Sequence, residues 1–169
     1  VIHYLKGDAT VPQAKGPKLI VHICNTLGGW GAGFVLAISK RWAGPERWYR
    51  EWHRVKKWSV MTTKLTGDKI MLMTGDFALG AAQIIQVSPD TYVVNMIAQQ
   101  GMKTGSNGPP IRYDALEKCL GHVNGYADSF KASVHMPRIG CSLGGGRWER
   151  VEPLLQSALS GREVYVYDF

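Results

Sequence analysis

The chain has 169 residues, enough for a single domain over 1–169 with a full core. Hydrophobic residues make up 45% and charged residues 20%, which excludes a disordered polymer, and no apolar run in the sequence reaches a membrane span of roughly 20 residues. The formal net charge of +7 fits either a well-solvated surface or an anionic ligand, nucleotide-like or polymeric.

In chain order, strand patterns alternate with helix patterns. Ile2–Lys6 reads as a short strand ended by Gly7-Asp8, and Lys18–Asn25 as a strongly apolar strand. A glycine loop follows, Thr26-Leu27-Gly28-Gly29-Trp30-Gly31-Ala32-Gly33. Phe34–Trp42 has Phe34, Ile38 and Trp42 at helical spacing. Gly44-Pro45 stops that helix and opens the next, because proline suits a first turn. The second helix runs to about Lys57, with Trp48, Trp52 and Val55 on one face and Arg47, Arg50, Arg54, Lys56 and Lys57 on the other.

Ser59–Leu79 reads as a hairpin or irregular insertion, with turns at Thr66-Gly67-Asp68 and Thr74-Gly75-Asp76 around the apolar run Ile70–Met73. Ala82–Val87 and Tyr92–Ala98 read as buried strands, and Gly101–Pro110 as a loop. Arg112–Tyr126 is helical in pattern, Ser133–Ile139 is a strand, and a second glycine loop follows over Gly140-Cys141-Ser142-Leu143-Gly144-Gly145-Gly146. Trp148–Leu159 reads as the last helix and Val164–Asp168 as the closing strand. This alternation predicts an α/β fold with helices on both faces of a sheet.

Each glycine loop lies between a strand and a helix. In open α/β sheets ligands bind beyond the carboxyl ends of strands. Glycine lets backbone N–H groups come close to a phosphate, and a helix N-terminus adds a positive dipole. Two such loops could grip a diphosphate from two sides. The dinucleotide fingerprint fails, because Phe34 occupies its last glycine position, and the P-loop pattern is absent. The cysteines Cys24, Cys119 and Cys141 have no zinc spacing and form no disulfide framework. With no signal-peptide pattern, a reducing cytoplasmic compartment is expected, or a nuclear one in a eukaryote.

The runs Gly7-Asp8-Ala9-Thr10, Val21 through Phe34 and Pro137 through Glu149 together resemble a macro domain across nearly the whole chain. Bacterial-type macro domains and that of the poly(ADP-ribose)-activated chromatin remodeller look nearest. The terminal ADP-ribose glycohydrolase and the yeast ADP-ribose-1″-phosphatase look more distant. The resemblance implies a three-layer α/β/α sandwich, with a central mixed sheet of about six strands and an ADP-ribose cleft. It implies that Asp8 accepts a hydrogen bond from the adenine amino group, that the Ala9 backbone helps read the ring, and that Phe169 lies against it. Asn25 would sit at the distal ribose, beside Gly31, Ala32, Gly33 and Phe34. Ile139, Gly140, Cys141, Ser142, Leu143, Gly144, Gly145 and Gly146 would hold the diphosphate.

Each residue also has a plainer role. Asp8 could cap a turn, and Asn25 could make an Asx-turn. Trp30, in a glycine loop, is expected outside the core as a cover for the ribose. His22 and His135 lie inside strands and are expected as satisfied core residues. His22 nevertheless matches a candidate catalytic histidine of the phosphatase-like relatives, so His22 and Asn25 are the candidate catalytic pair. The glycohydrolase relative's lysine is replaced by Gln99 or Gln100 and its aspartate by Gly144, neither of which is a nucleophile or strong base.

The expected ligand is therefore ADP-ribose, free or on mono-ADP-ribosylated or poly(ADP-ribosyl)ated protein, bound by a monomer with no cofactor, metal or membrane. Hydrolysis of an ADP-ribose derivative stays open. The rival reading is a nucleic-acid module built on the basic helix Glu46–Lys57.

Overall fold

The computed structural model describes residues 1–57, 59–65, 68–101, 110–141 and 144–169, with the backbone alone for 59–65 and 68–74. In chain order the strands are β1 (Ile2–Lys6), β2 (Lys18–Asn25), β3 (Ser59–Leu65), β4 (Asp68–Thr74), β5 (Ala82–Ser88), β6 (Thr91–Gln99), β7 (Ser133–Met136) and β8 (Val164–Asp168). The helices are α1 (Phe34–Arg41), α2 (Gly44–Val55), α3 (Tyr113–Phe130) and α4 (Trp148–Ala158).

The strands form one sheet in the order β1-β8-β7-β2-β6-β5-β4-β3. The six strands expected from the sequence occupy one side of it. The segment read as a hairpin or insertion is a hairpin, and it adds β4 and β3 beyond β5, giving eight strands. Its first turn falls at 66–67, outside the described residues. Strands β1, β8, β7, β2 and β6 run parallel, so their carboxyl ends share one rim. Five strands about 4.8 Å apart make a rim roughly 19 Å long.

Alternation along β2 and β6 sorts the two cores. Leu19, Val21, Val94 and Met96 meet α3 and α4 on one face, while Ile20, Cys24, Val93 and Ile97 meet α1 and α2 on the other. Central strands covered on both faces read as continuous apolar runs, as β2 and β6 do.

Three expectations need correction. Helix α2 buries Pro45, Tyr49 and Trp52, whereas Trp48 is half-buried and Val55 is 37% exposed. Trp52 keeps its inward place, while Pro45 and Tyr49 take the inward positions expected of Trp48 and Val55. Strand β7 ends at Met136, since Pro137 has no N–H to continue a ladder. Helix α3 runs on to Phe130 and ends where Lys131 turns left-handed.

Candidate functional site

A cavity of about 400 Å³ opens on the parallel rim between the two glycine loops. It is lined by His22, Cys24 and Asn25 from the end of β2, by Gly29 to Val35 from the first loop and the start of α1, and by Gln99 from β6. Pro137 to Gly140 and Gly144 close the other side. Of the residues singled out in the sequence, His22, Asn25, Trp30, Gly31, Ala32, Gly33, Phe34, Ile139, Gly140 and Gly144 meet here. Cys141, Gly145 and Gly146 belong to the same second loop but do not line the cavity, and Ser142 and Leu143 lie outside the described residues.

Asp8 and Ala9 stand further along the rim. Arg138 lines the cavity and pairs through Nε (2.7 Å) and Nη2 (3.0 Å) with Asp168 at the end of β8. The Asp168 carbonyl in turn accepts from the Gly7 N–H at 2.8 Å. The rim therefore continues from the cavity toward Asp8 through one ion pair and one backbone hydrogen bond. Phe169 is fully exposed beside this path.

The first loop is shaped by one side chain. Asn25 Oδ1 accepts from the N–H groups of Leu27 (2.8 Å) and Gly29 (3.2 Å), and Nδ2 donates to the Gly29 carbonyl at 3.1 Å. Tyr49 donates its hydroxyl proton to the Asn25 carbonyl at 2.5 Å. A register shift between Cys24 and Asn25 sets Asn25 beside Gln99. The Asx-turn role is thus occupied, and one amide proton of Asn25 remains for a ligand.

Beyond the turn, Gly33 caps α1 with φ 80°, and among the described residues no side chain caps the first N–H groups of the helix. Its first turn carries no acidic residue and its last carries Lys40 and Arg41. Phe34 and Val35, at the positive end of the helix dipole, line the cavity.

Trp30 departs from expectation. It is 3% exposed and belongs to the α1/α2 core, with its indole N–H donated to Ser39 Oγ at 2.7 Å. It forms a wall of the cavity and does not lie over its mouth. The indole buries enough apolar area to outweigh the polar character of the surrounding loop.

His22 is 2% exposed. Asn95 directs Nδ2 to Gln83 Oε1 (2.8 Å) and to the Pro45 carbonyl (3.1 Å), leaving its Oδ1 to accept from His22 Nε2 at 2.5 Å. Burial pushes the imidazole down to about 4, against the opposing pull of that hydrogen bond. The ring is neutral and a poor base near pH 7. His135 is likewise buried and satisfied, between Ser133 Oγ (2.7 Å) and the Tyr167 hydroxyl (2.8 Å). In this arrangement His22 Nε2 is engaged by Asn95, and Asn25 Oδ1 and one Nδ2 proton are engaged by the first loop.

In the second loop, the Gly146 N–H donates to the Gly140 carbonyl at 2.7 Å, and the Ile111 N–H to the Gly144 carbonyl at 3.0 Å. A Cβ on Gly144 would come within 2.8 Å of the Gly140 carbonyl oxygen, so no aspartate fits there. Gln99, one of the two residues read as replacing the glycohydrolase lysine, donates Nε2 to the Gly101 carbonyl at 2.9 Å. Among the described residues no carboxylate lines the cavity, and no three His, Cys, Asp or Glu side chains gather as a metal site.

Arg138 and Gln99 were not singled out as ligand-binding residues from the sequence. Arg138 directly precedes Ile139-Gly140, which was a usable signal; Gln99 reaches the cavity through strand pairing, which leaves no local signal.

No known family profile matches the chain. Among solved structures it superposes on a macrodomain protein from Streptomyces coelicolor with 47% identity and a TM-score of 0.80, covering 100% of this chain and 99% of that one. A Bacteroides thetaiotaomicron protein of unknown function is 45% identical with a TM-score of 0.87, covering 100% and 98%. The Thermosipho africanus DarTG structure in complex with ADP-ribose shares the fold, at 17% identity and a TM-score of 0.67 over 98% of this chain and 41% of that one. Among curated proteins, the chromodomain-helicase-DNA-binding protein 1-like protein of Danio rerio is 32% identical over 97% of this chain, which spans 15% of that protein. An ADP-ribose 1″-phosphate phosphatase from Candida albicans is 26% identical over 92% of both chains.

Proposed function

The chain belongs to the macrodomain family, and from that premise we propose that its cavity binds ADP-ribose and the ADP-ribosyl groups of mono- or poly(ADP-ribosyl)ated proteins, as a monomer. One observation carries the reading. The uncapped start of α1 and the backbone of Gly31 to Gly33 open into a cavity that no described carboxylate lines, at the carboxyl ends of adjacent parallel strands. That is an anion site with room for an elongated ligand.

In this reading the diphosphate lies between Gly31–Phe34 and the second loop, Gly140 to Gly146. Asn25 gives its remaining amide proton to the distal ribose. Adenine lies at the β1 end, where Asp8 accepts from its amino group, Ala9 contributes backbone contacts and Phe169 packs against the ring. The complex of DarTG with ADP-ribose supports the choice of ligand.

Hydrolysis is the second reading, favoured by the likeness to the phosphatase relative. With His22 and Asn25 engaged elsewhere, such a reaction would rest on a water held by the ligand's own phosphate and the loop amides.

Calorimetry with ADP-ribose tests the first reading. Micromolar affinity or better, about −8 kcal/mol, is expected, with AMP weaker for want of the distal ribose and one phosphate. Equal affinities for the two would sink the two-loop site. Incubation with ADP-ribose 1″-phosphate and with ADP-ribosylated protein, read for released phosphate or ADP-ribose, decides between binder and enzyme.

A further inference from the structure

The two carboxylate oxygens of Asp8 have different partners. Oδ1 accepts from the Thr10 N–H at 2.8 Å and from the Thr10 hydroxyl at 2.7 Å. Oδ2 has the Arg41 guanidinium at 3.7 Å, too far for a hydrogen bond and near enough for electrostatic pairing. Arg41 Nε also donates to Thr10 Oγ1 at 2.7 Å. A hydroxyl has one proton and a guanidinium can only donate. The Thr10 proton must therefore point to Asp8, and the chain Arg41 to Thr10 to Asp8 has a fixed direction.

Thr10 is 3% exposed, so water does not compete for this chain, whereas the Asp8 and Arg41 side chains are 30% and 44% exposed. Oδ2 is thus the oxygen left to accept from a ligand. Arg41 lies in the last turn of α1, whose first turn lines the cavity. An eight-residue helix is about 12 Å long. One short rigid element therefore carries the anion site at one end and the brace on Asp8 at the other.

We propose that Arg41 is a positioning residue for base selectivity. Acting through Thr10, it holds Asp8 with Oδ2 free to accept from the 6-amino group of a purine, so that adenine ligands are preferred over 6-oxo counterparts. The inference rests on the adenine role of Asp8 proposed above. A carboxylate already held in one rotamer loses less freedom on binding. A 6-oxo purine presents an acceptor to that oxygen, and two acceptors repel.

The test is calorimetric affinity for ADP-ribose and for its hypoxanthine analogue, inosine diphosphate ribose, with unaltered protein, Arg41→Ala, Thr10→Val, the double variant and Arg41→Lys. A melting curve checks the fold of each. The unaltered protein should prefer ADP-ribose about tenfold or more. Arg41→Ala should shrink that preference several-fold, chiefly by weakening ADP-ribose, and Arg41→Lys should restore part of it. Thr10→Val should act in the same direction and the double variant no further, since both break one chain. Thr10 is buried, so if its variant unfolds, the partly exposed Arg41 carries the test alone. Equal loss for both ligands, or an unchanged preference, would overturn the proposal and leave the ADP-ribose site standing. Failure of the unaltered protein to bind either ligand would overturn the site and this inference with it.

Discussion

The two glycine loops look alike in sequence and differ in what their glycines are for. The second loop needs glycine to accommodate itself. A Cβ at Gly140 would come within 2.3 Å of Ile111 Cδ1, and one at Gly146 within 2.6 Å of the Gly140 carbonyl oxygen. The first loop is mixed: Gly28 holds φ 77° and a Cβ there would come within 2.6 Å of His53 Nδ1, whereas the tip at Gly31 needs glycine only for what lies beyond it. A Cβ at Gly31 would meet nothing within 4 Å, and residues 31–33 are exposed. One loop is closed by its own backbone hydrogen bonds, the other is shaped by the Asn25 side chain and left open. Glycine content therefore marks both loops without saying which one offers space to a ligand.

The largest expected effect falls on both loops at once, because each follows a strand holding a buried neutral histidine. Burial brings His22 and, with a further push from Lys18, His135 down to about 4, from 6.5 in an unfolded chain. Below 6.5 the unfolded chain takes up protons that the folded one refuses. Their contribution to stability is complete above pH 6.5 and is lost as pH falls toward 4, by an amount on the order of a few kcal/mol. Urea melts across that range check it; a flat profile would mean that the histidines are solvated.

Gly31→Glu separates the loops most sharply. It should leave the melting temperature unchanged and weaken ADP-ribose roughly a hundredfold, about 2.7 kcal/mol. A carboxylate there meets the diphosphate and competes for the helix N-terminus. Gly33→Glu is the less clean variant, because Gly33 holds φ 80° and ψ −147° and a side chain there costs about 1–3 kcal/mol of backbone strain by itself.

Gly146→Ala is the mirror experiment in the second loop. It should cost about 2 kcal/mol of stability, a fall of roughly 4–8 °C in Tm for a chain of this size. Thermal melts check it. A stable Gly146→Ala variant would show that the loop can relax, and would erase the contrast with Gly31.

Smaller still, Asp8→Ala should weaken ADP-ribose by about 1–2 kcal/mol and its hypoxanthine analogue less. Thr10 hydrogen bonds, with Arg41 behind them, outweigh burial and hold the Asp8 carboxyl below the usual carboxylate range, so the group is charged at neutral pH. Equal losses for the two ligands would reduce Asp8 to a turn cap.

The sequence alone determined the strand and helix order, because period-two and helical spacing are local properties of runs such as Lys18–Asn25 and Phe34–Trp42. It also located the glycine loops and, through the resemblance, the family. Tertiary structure decided what each residue was free to do. Trp30 became a core wall because Ser39 and the α1/α2 layer close around its indole. Tyr49 stands on the inward stripe beside Trp52 because its ring packs against Trp30 and its hydroxyl reaches the Asn25 carbonyl. Gln99 joined the cavity because β6 pairs with β2 and a register shift sets it beside Asn25. His22 Nε2 is held by Asn95, 73 residues away in sequence, a partner that no local pattern reports. Local pattern reports which side chains are present, but their free donors and acceptors depend on what remains after neighbours distant in the chain have taken theirs.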